Sequence, residues 1–161
     1  MKEKEEILSQ LYKILDKNTN DIRIYYRLAD KCKRSFLKNF FKKLSHQKRI
    51  FCRRIRFEIK ELEMEWALIW DNSKTTNMPP QRTFHGLPVF KADMKSLITY
   101  SYKRELEHLH LYKTLLSKTH LGNIREMLLH QRHAIQLTLN EIKTIENKYN
   151  YEKKDGEVNY S

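Results

Sequence analysis

The chain has 161 residues, 40% of them hydrophobic, which is enough for one domain with a buried core and too few for two comfortable domains. Gly and Pro number three each, and five of these six residues lie between Pro79 and Gly122, so nearly all the rest is free of helix breakers. The formal net charge is +12, and no apolar run approaches the ~18 residues that a membrane span needs. These features predict an all-α protein and exclude a membrane-spanning one.

The first residues and the cysteines predict the compartment. The opening MKEKEEILSQ is too charged for a secretory signal, so we expect a cytoplasmic protein with no membrane partner. Cys32 and Cys52 form no C-x-x-C pair and suggest no disulfide framework. We therefore expect both thiols to be reduced and to pack as small buried side chains.

Apolar residues recur every three, four or seven positions in the first part of the chain, which is the pattern of one helical face. One helix is predicted over about residues 2–33, and a second over about residues 35–71. The apolar stripe of the second helix is interrupted by Gln47 or Lys48, and again by Glu58. Its apolar members are Phe40, Leu44, Phe51, Ile55, Leu62, Trp66 and Ile69.

All three prolines and one glycine fall in a single long connection over about residues 72–91. A third helix is predicted from there to about residue 117, and a fourth over about residues 123–148. Residues 149–161 have no apolar periodicity, so we expect a flexible C-terminal tail there.

Two short links on either side of one long connection are typical of an antiparallel four-helix bundle. In such a bundle the first two helices pair, the last two pair, and the long crossover travels the length of the molecule. The sequence therefore predicts one bundle domain, residues 1–148, followed by the tail.

Three stretches carry a resemblance to a known class of bundle. They are NTNDIRIYYRLA at 18–29, FLKNFFKKLSHQKRIFCRRIRFEI at 36–59 and YSYKRELEHLHLYKTLL at 100–116. Together with the helix layout, they resemble the ferritin-like superfamily. Within it, the chain is similar to a bacterial family of small four-helix-bundle proteins of unknown function that is described as stress-associated.

Ferritin-like oxidases hold two metal ions with a Glu on each of two helices and Glu-x-x-His on the other two. The resemblance implies that Glu105 stands at the carboxylate position of the third helix, and that His130 and His133 stand at the paired positions of the fourth. On the second helix, Lys48 and Phe51 stand where Glu and His would be, and neither side chain replaces a ligand. A di-iron cofactor is therefore not expected, and the metal-ligand candidates are Glu105, His130 and His133.

Polar residues on the buried stripes offer an alternative to metal binding. We expect Glu105 to pair across the core with Lys48, Arg104 or a tyrosine hydroxyl, because an unpaired buried charge is costly. The resemblance implies that the ligand position of the first helix falls among Asn18, Asp21 and Tyr25. The candidates for a buried polar network are Asn18, Gln47, Lys48, Glu58, Glu105 and Gln131.

The second helix carries most of the basic excess, since twelve Lys or Arg and a single acid lie between Lys31 and Lys60. One hypothesis is non-specific binding of nucleic acid or another anion; the other is a solvated basic face that meets an acidic protein. No helix-turn-helix signature or Gly-rich phosphate loop supports the first hypothesis. The anion-binding candidates are Lys42, Lys43, Arg49, Arg53, Arg54 and Arg56.

No Ser-His-Asp arrangement or pair of acids supports hydrolysis, so the sequence favours a protein without catalytic activity. We expect a binding or structural module that acts through protein contacts or through self-association as a homodimer. The alternatives are a degenerate metal-binding protein, with iron-binding or ferroxidase-like activity, and a non-specific nucleic-acid binder.

Overall fold

The computed structural model describes residues 2–69 and 93–158, with side chains described at 3–67 and 93–150. Four helices fill these ranges, and no strand occurs in them. The helices are α1 (Lys2–Lys31), α2 (Ser35–Ile69), α3 (Met94–Lys118) and α4 (Gly122–Val158). The predicted all-α four-helix bundle is confirmed, and the predicted crossover over about residues 72–91 lies outside the described residues.

The end of α4 differs from the prediction. The helix continues to Val158, whereas the apolar pattern predicted an end near Lys148 and a tail over 149–161. The predicted end lies too early in the chain because it follows the point where the apolar periodicity stops. A helix needs no apolar face to continue, and residues 149–158 include two Lys and two Glu, which are good helix formers, and no proline. Residues 159–161 lie outside the described part of the chain.

Antiparallel packing of α1 against α2 follows from a link of only three residues, 32–34. Near this link, the Ser45 hydroxyl donates a hydrogen bond of 2.8 Å to the Ile22 carbonyl. Farther along, Tyr12 of α1 donates to Glu63 of α2. These two contacts at different levels show that the two helices run alongside each other in opposite directions.

Antiparallel packing also relates α1 to α3. Near the start of α1, Glu6 Oε1 lies 3.4 Å from Lys118 Nζ at the end of α3. Farther along α1, Asp21 pairs with Arg104, which lies nearer the start of α3. Since α1 runs opposite to both α2 and α3, these last two helices run in the same direction. α4 packs along α3 and also contacts α2, which closes the four-helix arrangement.

Each helix is amphipathic. On α2, for example, Phe41 and Leu44 are buried, while Lys42 and Lys43 between them are exposed. Apolar burial on one face stabilises the bundle, and the opposite face stays in water. In the described part of the chain, no helix combines the length and the apolar character needed to cross a membrane.

The apolar core is divided into two clusters along the bundle. One cluster surrounds the α1–α2 link and includes Tyr25, Phe41 and Leu97; the other includes Leu11, Ile55, Tyr112, Leu128 and Ile135. Between the two clusters lie buried polar and charged side chains from all four helices. This polar layer is where the chemistry of the interior is concentrated.

Candidate functional site

The central feature of the polar layer is a group of fully buried ionisable side chains. These side chains lie between the two apolar clusters and come from three helices. Each is 0% exposed: Asp21 of α1, Lys48 of α2, and Glu105 and His108 of α3. We call these four residues, together with Arg104, the charge cluster. Burying a charge is unfavourable unless it is paired, so the contacts within the charge cluster determine how much the burial of these groups costs.

Lys48 and Glu105 form a buried ion pair across the bundle. The Lys48 Nζ atom lies 3.0 Å from Glu105 Oε2. The other carboxylate oxygen, Oε1, accepts a hydrogen bond of 2.7 Å from the Tyr25 hydroxyl. Both oxygens of Glu105 therefore contact side chains of other helices. Lys48 and a tyrosine hydroxyl are two of the three partners that the sequence predicts for Glu105.

Asp21 is held by two different groups of α3. Its Oδ1 accepts a hydrogen bond from Arg104 Nε, and its Oδ2 lies 3.0 Å from His108 Nδ1. Burial of this carboxyl raises its pKa, but the attraction of His108, Arg104 and Lys48 outweighs burial. The net result is that the pKa of Asp21 falls from 3.8 to about 2. Asp21 is therefore ionised at neutral pH.

His108 is uncharged at neutral pH, because burial lowers its pKa below the ordinary 6.5 despite the opposing attraction of Asp21. Its Nδ1 lies 3.0 Å from Asp21 and 3.4 Å from Lys48 Nζ. We assign the Nδ1 proton to the side of Asp21, since that contact is shorter and Lys48 is itself a donor. The His108 Nε2 atom has no hydrogen-bond partner among the described residues.

The charges of the cluster balance without any further ion. Asp21 and Glu105 contribute two negative charges, Lys48 and Arg104 contribute two positive charges, and His108 is neutral. Each carboxylate pairs with a cation from another helix. The cluster therefore joins α1, α2 and α3 by charge pairing at the level where the apolar core is interrupted.

A second chain of polar groups lies beside the charge cluster and reaches α4. Asn18 Nδ2 donates to the Ile14 carbonyl at 2.8 Å and to the Tyr112 hydroxyl at 3.1 Å. Tyr112 donates in turn to Gln131 Oε1, and Gln131 Nε2 donates to the Phe51 carbonyl at 3.4 Å. Burial raises the pKa of Tyr112, which keeps its hydroxyl protonated as a donor.

Replacing Tyr112 with Phe is expected to lower the free energy of unfolding by about 1–3 kcal/mol, because the buried Gln131 Oε1 loses its donor. Urea unfolding followed by circular dichroism measures the loss. The matched control is Tyr102→Phe on the same helix, since the half-buried Tyr102 hydroxyl makes no hydrogen bond within the described residues. Equal stability of the two variants would show that the polar chain contributes nothing.

The other predicted members of the polar network lie apart from this layer. Glu58 is buried, but it pairs at 2.9 Å with Arg54, one turn earlier on α2. Gln47 is half-buried, and its Oε1 atom has no hydrogen-bond partner among the described residues. Thus Asn18, Lys48, Glu105 and Gln131 lie in the polar layer, whereas Glu58 and Gln47 do not take part in the contacts described above.

The structure groups the possible metal ligands differently from the sequence. Within the described residues, the carboxylates and imidazole that could share an ion are those of Asp21, Glu105 and His108, with ligand atoms within 4.8 Å of one another. His130 and His133 are exposed on α4 and do not belong to that group. Sequence reasoning missed His108, although its i, i+3 spacing from Glu105 places both side chains on one helical face.

The basic residues predicted to bind anions all lie on the outside of the bundle. Each of the six is exposed: Lys42, Lys43, Arg49, Arg53, Arg54 and Arg56. Arg54 differs from the others because it pairs with Glu58 and stacks over the Phe57 ring, 5.7 Å from the ring centroid. The remaining basic residues give α2 a positively charged outer face.

These observations define a four-helix bundle with an electrically balanced charge cluster inside and a basic helix face outside. No protein-family model matches the chain, and no curated protein matches it either.

Proposed function

We propose that this chain is a non-catalytic binding module of the ferritin-like kind, related to the stress-associated bundle proteins. Its interior charges stabilise the bundle, and its outer surface on α2 meets other molecules. The observation that carries the proposal is the position of Lys48, whose ammonium group lies against Glu105 and His108, two of the three possible metal ligands. Its positive charge balances the carboxylates in the way that a bound cation would.

Burial of the cluster supports a structural role over a catalytic one. Asp21, Lys48, Glu105 and His108 are each 0% exposed, and both carboxylates are already paired. A catalytic acid or base must come within hydrogen-bond reach of its substrate, either directly or through one water. Buried and paired groups of this kind are better suited to fixing the register of the helices.

Metal binding is the second candidate function, and a specific observation favours it. Two carboxylates and one imidazole lie within 4.8 Å of one another, and this mixture of ligands suits a first-row transition metal. In addition, the His108 Nε2 atom makes no hydrogen bond to any residue that the structure describes. For an ion to bind there, the Lys48 ammonium would have to move away or lose its proton, since like charges repel.

Metal analysis of the purified, untagged protein separates the two functions. After anaerobic loading with ferrous iron and removal of the excess, we expect far less than one iron per chain by elemental mass spectrometry. A content near one or two ions per chain would overturn the non-catalytic proposal. In that case Glu105→Gln and His108→Gln should each lower the content if the cluster is the site, whereas the exposed His133→Gln serves as the matched control.

A further inference from the structure

Large apolar side chains line the outside of α2 at intervals of seven residues. Phe36, Ile50, Phe57 and Met64 are 47%, 50%, 53% and 55% exposed, and the one intervening step is the exposed Lys43. We call these five positions the α2 row. They lie on the side of α2 opposite to Phe41 and Ile55, so the helix has one apolar face in the core and a second, narrower one in solvent.

The α2 row has a basic border along one side. Each residue of an α-helix turns the chain by about 100° around the axis. The residue one position before a row member and the residue three positions after it therefore lie on the same side of the row. Five exposed basic residues occupy such positions: Lys42, Arg49, Arg53, Arg56 and Lys60. Their ammonium and guanidinium groups form no ion pair with another described residue, so their charge is available to a partner.

The spacing of the α2 row distinguishes a helical partner from a flat surface. A strict seven-residue repeat drifts by about 20° per heptad on a straight helix, so the row winds by roughly 80° from Phe36 to Met64. A second helix that coils around α2 follows this path and covers the whole row, about 42 Å long. A planar bilayer surface contacts only part of a row that winds in this way.

The basic border determines the charge of the partner. A second copy of α2 would bring two basic borders together, and like charges across an interface are unfavourable. Residues 70–92 of the same chain contain three Lys or Arg against one Asp, so they do not supply the complementary charge. Nucleic acid has the required negative charge, but its backbone is contacted through polar and charged side chains, so it would leave the apolar side chains of the row uncovered.

We propose that the α2 row and its basic border bind an amphipathic α-helix of another protein, with apolar residues in heptad spacing and acidic residues along one side. The partner helix covers Ile50 and Phe57 and pairs its carboxylates with Arg49, Arg53 and Arg56. This inference rests on the proposed function, because it identifies the class of partner that the binding module meets through α2.

The test uses the full-length protein and a synthetic amphipathic helix as the probe. The peptide has four heptads with Leu along its apolar face and Glu along its flanks, and a matched peptide carries Lys in place of every Glu. We expect fluorescence anisotropy to show binding of the acidic peptide and no binding of the basic one. Binding of the acidic peptide should weaken as salt is raised, since exposed charges are screened.

Two pairs of variants separate the contributions of the row and the border. Ile50→Ser with Phe57→Ser is expected to weaken peptide binding by roughly tenfold or more, because two large apolar side chains lose their cover. Its control is Leu137→Ser, at a position of α4 that is 55% exposed. The border variant combines Arg49→Glu with Arg53→Glu, and it is expected to lose peptide binding. Its control combines Lys103→Glu with Lys113→Glu, which changes the net charge by the same amount at exposed positions of α3. Circular dichroism verifies that each variant is folded.

The outcomes distinguish this inference from the proposed function. Loss of peptide binding in both α2 variants, with both controls unchanged, supports the inference. If the border variant loses binding and the row variant does not, α2 is a general polyanion site, which overturns the helical partner and keeps the binding module. Tighter, row-dependent binding to phosphatidylserine vesicles, or tighter binding to mixed-sequence DNA, overturns the helical partner as well. Failure of all three probes to bind overturns both proposals.

Discussion

Replacement of Lys48 with Met is expected to lower the free energy of unfolding by about 3–5 kcal/mol at neutral pH, the cost of breaking one side of a buried ion pair. Met has a similar length and fills the same space, so the loss reports the missing charge more than a cavity. Without Lys48, Glu105 keeps only the Tyr25 hydroxyl as a neutral partner. The interior then holds two carboxylates against Arg104 alone.

Urea unfolding followed by circular dichroism measures this loss, with Lys42→Met as the matched control on the exposed face of the same helix. The control is expected to change stability by less than about 0.5 kcal/mol. If Lys48→Met lowered the free energy of unfolding by as little as the Lys42→Met control does, the conclusion that the charge of Lys48 is required would be wrong. Such a small loss would mean that the buried ammonium is no better than an apolar side chain at that position.

A double variant tests whether the cost belongs to the pair. Glu105→Gln removes the carboxylate that Lys48→Met leaves uncompensated, so the two substitutions together should cost less than the sum of their separate costs. The interaction energy should be about 1–3 kcal/mol, as for groups in direct contact. Additive losses would show that Lys48 and Glu105 stabilise the bundle independently of each other.

The helices were predictable from the sequence, but the partners within the charge cluster were not. The apolar periodicity predicts that Glu105 lies in the interior, and that either Gln47 or Lys48 does. The contacts within the interior depend on the axial position of each helix relative to its neighbours, and no local sequence pattern encodes that position. The pairing of Asp21 with Arg104 and His108 therefore appeared only in the structure.

The outer face of α2 was missed for a different reason. Apolar residues at helical spacing were assigned to the core, and the stripe through Phe40 and Leu44 already supplied a buried face for this helix. Phe36, Ile50 and Phe57 belong to a second set, spaced by seven residues and displaced around the helix. The first set packs inside the bundle, and the second set is the one to which the proposed partner helix is assigned.

The balanced charges also connect the interior with the outer face. Buried contacts join α2 to α3 and α3 to α1, because Lys48 pairs with Glu105, and Glu105 accepts a hydrogen bond from Tyr25. Binding of the proposed partner helix along about 42 Å would be favoured if these contacts keep α2 in one position. The charge cluster and the α2 row are thus linked by the same helix.

The second large effect concerns Asp21 and its dependence on pH. Because the pKa of Asp21 falls from 3.8 to about 2 on folding, its stabilisation is fully present above pH 3.8 and is lost as the pH falls toward 2. A shift of this size corresponds to about 2 kcal/mol for this buried group. His108 acts in a higher range: its folded pKa lies below 6.5, so its contribution declines as the pH falls below that value.

Asp21→Asn is therefore expected to cost about 2–4 kcal/mol at neutral pH, since Arg104 and His108 lose their carboxylate partner. The difference between the original protein and this variant should shrink by about 2 kcal/mol between pH 4 and pH 2, because protonation removes the same charge from the original protein. Urea unfolding at a series of pH values measures the difference. The matched control is Asp30→Asn at an exposed position of α1, for which little change is expected at any pH. A difference that stays constant from pH 4 to pH 2 would show that the carboxylate of Asp21 is not held by the cations around it.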